Sequence, residues 1–206
     1  VIKTRIKICG ITRAEDGVSA AELGADAIGL VFYPKSPRYV SIERAINIIS
    51  SLPSFICRVG LFVNHDEEAI LSILRKVSLD VLQFHGDESA EECRQFSKPY
   101  IKAIRMCDDI DLISHARNYV DAAALLLDTH VDGMVGGTGK VFDWDRIPKS
   151  LPQPVTLAGG LNSNNVSEAI YQVKPYAVDV SGGVESSKGI KDSNKMKEFV
   201  MAVQSL

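Results

Sequence analysis

The chain has 206 residues, of which 46% are hydrophobic and 24% charged, with a formal net charge of −3 and a pI near 5.8. That composition suits a globular domain with a sizeable core, and it holds neither a basic stripe for nucleic acid nor an acidic disordered tail. Cys9, Cys57, Cys93 and Cys107 form no C-x-x-C pair, which argues against thiolate zinc sites, redox motifs and a disulfide framework, and for a reducing compartment.

The first ten residues, VIKTRIKICG, lack the apolar core of a signal peptide. The longest strongly apolar run, 122–127, falls far short of the ~18 residues of a membrane span. The expected location is cytoplasmic, with no membrane and no nucleic acid as partner.

In chain order, short apolar β-rich runs alternate with helical patterns. Strands are predicted over 6–11, 27–32, 57–63, 81–85, 100–105, 123–128, 155–158 and 177–180. Most are nearly continuous apolar runs, as parallel strands covered on both faces require. Helices are predicted between them. The first, over 14–23, takes Thr12 as its N-cap and stops before Gly24. The second, over 41–50, opens Ser-Ile-Glu-Arg, and the third, over 66–76, sets Ile70, Ile73, Leu74 and Val77 at helical spacing. A fourth over 89–96 opens close to a capping box, and others follow over 108–117, 163–173 and 192–203. The sixth connection, 129–154, is irregular, with Gly133, Gly136, Gly137 and Gly139 ahead of a short turn over 143–147.

Eight such units average about 26 residues each, which a short strand, a helix and two loops fill. The fold expected is therefore α/β, a single (β/α)8 TIM-barrel domain over residues 1–206. An open doubly wound sheet is the alternative, but its G-x-G-x-x-G turn is absent.

In such a barrel the site forms where strands end. The strand ends here carry Cys9-Gly10, Arg38 after a Pro-bounded loop, His85-Gly86, Arg105, Asp128, Gly159-Gly160 and Asp179-Val180-Ser181-Gly182-Gly183. Glycines after the last two strands suit a phosphate grip, since backbone N–H groups approach an anion most closely there. Gly159, Gly160, Ser181, Gly182 and Gly183 are the phosphate-binding candidates. Each of the other residues has a plainer reading beside the functional one. Cys9 could be a small buried hydrophobe, Asp128 a cap, His85 a satisfied structural histidine, and Arg38 a solvated surface cation. The run Gly136-Gly137-Thr138-Gly139-Lys140 lacks the first glycine and the hydroxyl residue of a P-loop, and reads as a mobile active-site loop or a surface turn. Strand order adds a constraint. Strands 6, 7, 8 and 1 are consecutive around a closed barrel, so Asp128 and Cys9 flank the anion grip from opposite sides.

At these residues the chain resembles the phosphoribosylanthranilate isomerase family of tryptophan biosynthesis. The resemblance runs through Lys7-Ile8-Cys9-Gly10-Ile11-Thr12, Gly29-Leu30-Val31-Phe32, Ser36-Pro37-Arg38, Val59-Gly60-Leu61-Phe62-Val63-Asn64 and Gln83-Phe84-His85-Gly86. It continues through Leu127-Asp128, Gly136-Gly137-Thr138-Gly139, Leu157-Ala158-Gly159-Gly160-Leu161 and Asp179-Val180-Ser181-Gly182-Gly183-Val184-Glu185. It implies an Amadori rearrangement of a small phosphorylated substrate, with no metal and no organic cofactor. Asp128 matches the family's acid and Cys9 its base. Arg38 matches the residue that binds the anthranilate carboxylate, Asp179 a polar residue near the sugar hydroxyls, and His85 falls in the substrate-binding set. Ser181-Gly182-Gly183 departs from the Ser-Ser-Gly expected after strand 8. The chemistry needs a protonated carboxyl facing a thiolate, the reverse of what the free side chains hold at neutral pH: either burial raises the Asp128 pKa while donors or a cation lower that of Cys9, or the thiolate forms only once the positive Schiff base is present.

Two rivals stand beside this reading. Another phosphosugar enzyme on the same scaffold would need either a His/Asp metal set, which the scattered histidines do not supply, or aspartate in place of Cys9. A non-catalytic phosphometabolite binder would have no use for both Cys9 and Asp128. The expected assembly is a monomer or homodimer.

Overall fold

The computed structural model describes residues 3–107, 110–129 and 142–206. Eight strands close into a barrel in chain order: β1 (Arg5–Cys9), β2 (Ala27–Val31), β3 (Cys57–Phe62), β4 (Val81–Phe84), β5 (Tyr100–Met106), β6 (Ala124–Thr129), β7 (Val155–Leu157) and β8 (Ala177–Val180). Every neighbouring pair is parallel, and β8 closes on β1 with Lys7 opposite Asp179. Around them lie α1 (Ala14–Glu22), α2 (Ile42–Ser51), α3 (Glu67–Leu74), α4 (Ala90–Arg94), α5 (Leu112–Asn118), α6 (Val166–Val173) and α7 (Ser193–Gln204). Between β6 and β7 the described residues hold a 3-10 turn, Trp144–Arg146, and a second one, Gly182–Val184, follows β8.

Alternation along each strand divides the apolar residues into two populations. Ile6, Ile8, Ile28, Leu30, Phe62, Leu82, Phe84, Leu125, Leu127 and Val178 face the helices and pack with Ala20, Ala45, Ile48, Ile70 and Phe199 in one continuous core. The inward positions carry smaller clusters, Cys9 with Val31, Leu61 and Val63, and Ala103 with Leu126 and Ala158. Buried polar side chains, Lys7, Gln83, Asp128, Thr156 and Asp179, fill the rest of the interior.

The predicted (β/α)8 order is the order found, with element ends moved by a few residues. Ser41, Asp66 and Ser89 cap α2, α3 and α4, and α4 carries the full capping box with Glu92. Thr12 does not cap α1. Arg13 occupies that position without a side-chain cap, while the Thr12 hydroxyl donates to the Gly189 carbonyl. The helix predicted over 163–173 starts only at Val166, because Asn162 and Asn165 fold the preceding residues into a turn: Asn165 Oδ1 accepts from Asn162 N and its Nδ2 donates to Gly160 O. Residues 108 and 109, at the head of the fifth predicted helix, and the glycine run 136–139 lie outside the described residues. An antiparallel ribbon, β9 (Glu185–Ser187) with β10 (Ile190–Lys191), was not predicted. No helix among the described residues is long and apolar enough to cross a membrane.

Candidate active site

A pocket of about 440 Å³ opens at the C-terminal ends of the strands. All ten residues singled out from the sequence line it: Cys9, Arg38, His85, Asp128, Gly159, Gly160, Asp179, Ser181, Gly182 and Gly183.

On β1, Lys7 and Cys9 alternate onto the inward face. Space for the thiol comes from β2, where a Cβ added at Gly29 would stand 2.5 Å from Cys9 Sγ. Burial pushes the Cys9 pKa up, the Lys7 and Lys191 cations pull it down, Asp179 pushes it up again, and the result lies above the ordinary thiol value. The Cys9 pKa is therefore raised rather than lowered, because desolvation of the thiolate outweighs the nearby cations. Lys7 Nζ lies 2.9 Å from Asp179 Oδ2, both side chains being buried. Burial alone would lower the Lys7 pKa, but Asp179 and then Cys9 outweigh it and hold the ammonium form. Asp179 Oδ1 has no hydrogen-bond partner among the described residues.

Across the pocket, Asp128 Oδ1 accepts from Thr129 N at 2.9 Å, and Oδ2 lies 3.1 Å from His85 Nε2. The other ring nitrogen of His85, Nδ1, is 3.0 Å from Gln83 Nε2. The chain after His85 is fixed from outside the barrel by Glu88, which accepts from Asn64 N and Gly86 N and pairs with buried Lys102 at 2.8 Å.

Arg38 reaches in over Gly10 and grips Glu185 in a fork, Nε to Oε1 at 2.7 Å and Nη2 to Oε2 at 2.8 Å. Glu185 also pairs with buried Lys191 at 3.0 Å. Burial pushes the Glu185 pKa up, yet Arg38 and Lys191 outweigh it and keep the carboxylate ionised. The fork occupies two of the five guanidinium N–H donors and leaves three for another anion. Lys7, Arg38 and Lys191 face Asp179 and Glu185 on this side of the pocket, and burial lowers the Lys191 pKa against the pull of Glu185.

The glycines expected to grip an anion follow β7 and β8, between the two sides. Gly159 and Gly160 have φ of 81° and 68°, a region costly for any other residue. A Cβ at Gly159 would run into Thr129, and one at Gly183 into the Leu161 carbonyl. Among the described residues the N–H groups of Gly159 and Gly160 have no backbone acceptor. Those of Gly182 and Gly183 open a 3-10 turn, where N–H groups lack intrahelical partners. Val31, Leu61 and Val63, with Tyr33 against them, form an apolar wall beside Cys9.

Sequence reasoning gave no role to Lys7, Gln83, Glu185 or Lys191. Lys7 and Gln83 did leave a signal: each is a polar residue at an inward position of an otherwise apolar strand, two residues before Cys9 and His85. Glu185 and Lys191 lie in a polar, loop-like stretch whose ribbon pairing leaves no periodic trace.

The family described as N-(5'phosphoribosyl)anthranilate (PRA) isomerase matches residues 6–202. The chain is 56% identical over 205 residues to the N-(5'-phosphoribosyl)anthranilate isomerase of Nitrosococcus oceani, covering 100% of each. It is similar to the solved phosphoribosyl anthranilate isomerase of Thermotoga maritima, with a TM-score of 0.88 at 44% identity over 98% of this chain and 100% of that one. A further solved phosphoribosyl anthranilate isomerase, in complex with reduced 1-(o-carboxyphenylamino)-1-deoxyribulose 5-phosphate, gives a TM-score of 0.84 at 42% identity, with 98% and 100% covered.

Proposed function

Since the chain belongs to the N-(5'-phosphoribosyl)anthranilate isomerase family, we propose that Cys9 and Asp128 are the base and acid of its reaction, the Amadori rearrangement of N-(5'-phosphoribosyl)anthranilate in tryptophan biosynthesis. The reading takes residues 1–206 as one catalytic domain. Asp128 gives a proton to the furanose ring oxygen, the C1–O bond breaks, and the ring opens to a Schiff base. Cys9 thiolate then removes the proton from C2, and the resulting enolamine tautomerises to the ketone, 1-(2-carboxyphenylamino)-1-deoxyribulose 5-phosphate. The positive charge of the Schiff base favours the thiolate at the moment it is needed.

The observation that carries the reading is that Cys9 and Asp128 line one pocket with Gly159, Gly160, Ser181, Gly182 and Gly183. A substrate gripped by its phosphate at those glycines has its sugar between acid and base, which supplies the orientation this chemistry depends on. The three spare Arg38 N–H groups suit the anthranilate carboxylate, and the Val31, Leu61 and Val63 wall suits its ring. The open acceptor Asp179 Oδ1 suits a sugar hydroxyl, which is a donor.

Loss of anthranilate-linked fluorescence under turnover tests the assignment. Cys9→Ala and Asp128→Asn are each expected to lower kcat by roughly 10²–10⁴-fold with the far-ultraviolet circular dichroism unchanged. Near-normal turnover in either variant removes that residue from the mechanism. A steady signal from the unaltered chain, with substrate demonstrably bound, would instead mark a binding barrel.

A further inference from the structure

Gln83 is fully buried on β4 and has no task in the steps above. Its amide nitrogen meets His85 Nδ1 at 3.0 Å, and His85 Nε2 meets Asp128 Oδ2 at 3.1 Å, so both ring nitrogens have protein partners. An amide nitrogen only donates. A ring nitrogen that receives its hydrogen bond must carry a lone pair, and the single proton of a neutral imidazole then sits on Nε2. That proton points at Asp128. The opposite end of the amide, Gln83 Oε1, has no partner among the described residues, so no other hydrogen bond dictates the orientation of the amide.

We infer that Gln83 and His85 are positioning residues for the proton donor: Gln83 holds His85 in the Nε2–H tautomer, and His85 thereby reserves Asp128 Oδ2 as an acceptor. The inference rests on Asp128 being the acid. His85 Nε2–H and Thr129 N–H then each take one lone pair of the carboxyl, on Oδ2 and Oδ1 respectively, and the acid's proton sits on a lone pair that neither faces, free to pass to the ring oxygen. Once it has gone, the same N–H groups steady the carboxylate left behind. In these steps no proton crosses His85. In the reverse arrangement, a carbonyl facing Nδ1 would put the imidazole proton there. Bare Nε2 would then hold the acid's proton on Oδ2, away from the sugar.

The two arrangements differ in an observable that does not involve turnover. Nitrogen-15 spectra of histidine-labelled protein, with the His85 signals assigned against His85→Gln, are expected to show Nδ1 unprotonated and Nε2 protonated at neutral pH. Gln83→Glu, the same size but an acceptor, is expected to move a proton onto Nδ1. It should also cut kcat by roughly 100-fold while KM stays within about threefold. His85→Gln, whose amide can still donate to Oδ2, is expected to keep roughly ten times the kcat of His85→Ala. A protonated Nδ1 in the unaltered chain overturns the inference, as does wild-type kcat in a folded Gln83→Glu. If that variant does not fold, the tautomer of the unaltered chain decides alone. An inactive Asp128→Asn beside a fully active Gln83→Glu removes this inference and leaves the acid in place, whereas an active Asp128→Asn removes the acid itself.

Discussion

At Cys9, burial and charge pull in opposite directions, and the balance sets how the rate depends on pH. The pKa is raised because desolvation exceeds the attraction of Lys7 and Lys191. When a reaction needs the less abundant pairing of proton states, the rate is flat between the two pKa values and falls beyond each. With Cys9 as the base, as proposed, the alkaline fall of kcat/KM belongs to the thiol and is expected above its ordinary value of about 8.5. Lys7→Met removes one of the two cations that lower the Cys9 pKa. The alkaline limb should move further up, and kcat/KM at neutral pH should drop by about tenfold for each unit moved. A limb that stays in place in a pH–rate profile of this variant would show that Lys7 acts only through Asp179. Arg38 sets a different test. Because it is already forked onto Glu185, Arg38→Ala should raise KM by roughly 10–100-fold with little change in kcat, and Arg38→Lys should not restore it, since an ammonium cannot serve two carboxylates with a planar fork. Steady-state kinetics on the two variants separate binding from chemistry. That Cys9 and Asp128 line the pocket was legible, because polar and thiol side chains at strand ends are conspicuous against apolar runs. Glu185 was not, because its partner Arg38 lies 147 residues away and nothing local marks the pair.

The strand is the element that carries most of this protein's information. Period-two alternation sends one set of residues to the helices and the other to the pocket, so apolar runs made all eight strands readable. Helix starts were readable where a cap was local, as at Ser41 and Ser89. They failed where the capping residue was recruited elsewhere, as Thr12 is by the ribbon turn at Gly189. The loop after β7 shows what an element's end contributes to binding. Gly159 combines φ of 81° with close approach to Thr129 on β6, so the two strand ends meet there without a side chain between them. Gly159→Ala should cost about 1–2 kcal/mol for the left-handed backbone alone. The shift needed to clear Thr129 displaces the proposed anion grip as well. The expected outcome is a KM higher by roughly tenfold, with inorganic phosphate weakened as a competitor to the same degree and kcat much less affected. An unchanged inhibition constant for phosphate would place the grip elsewhere.

For the whole molecule, the main core and the pocket lie on opposite faces of the same ring, and β6 tests within four residues whether stability and activity divide the same way. Leu125 and Leu127 belong to the continuous core between barrel and helices, whereas Leu126 belongs to the small interior cluster and Asp128 to the pocket. Leu125 is wholly buried among side chains from several elements, so truncation leaves a cavity that a closed ring cannot readily collapse. Leu125→Ala is expected to cost about 2–5 kcal/mol, which for a domain of this size lowers Tm by roughly 5–15 °C. Its kcat well below the transition should remain within about twofold of the unaltered chain, because Leu125 itself does not line the pocket. Asp128→Asn should do the opposite, losing turnover with little change in Tm. Thermal denaturation and steady-state kinetics on both variants give four numbers, and the argument requires them to cross. If Leu125→Ala lost activity in proportion to stability, the helix-facing core would be shaping the pocket through the barrel wall, and alternation along the strand would not be what keeps the two functions apart.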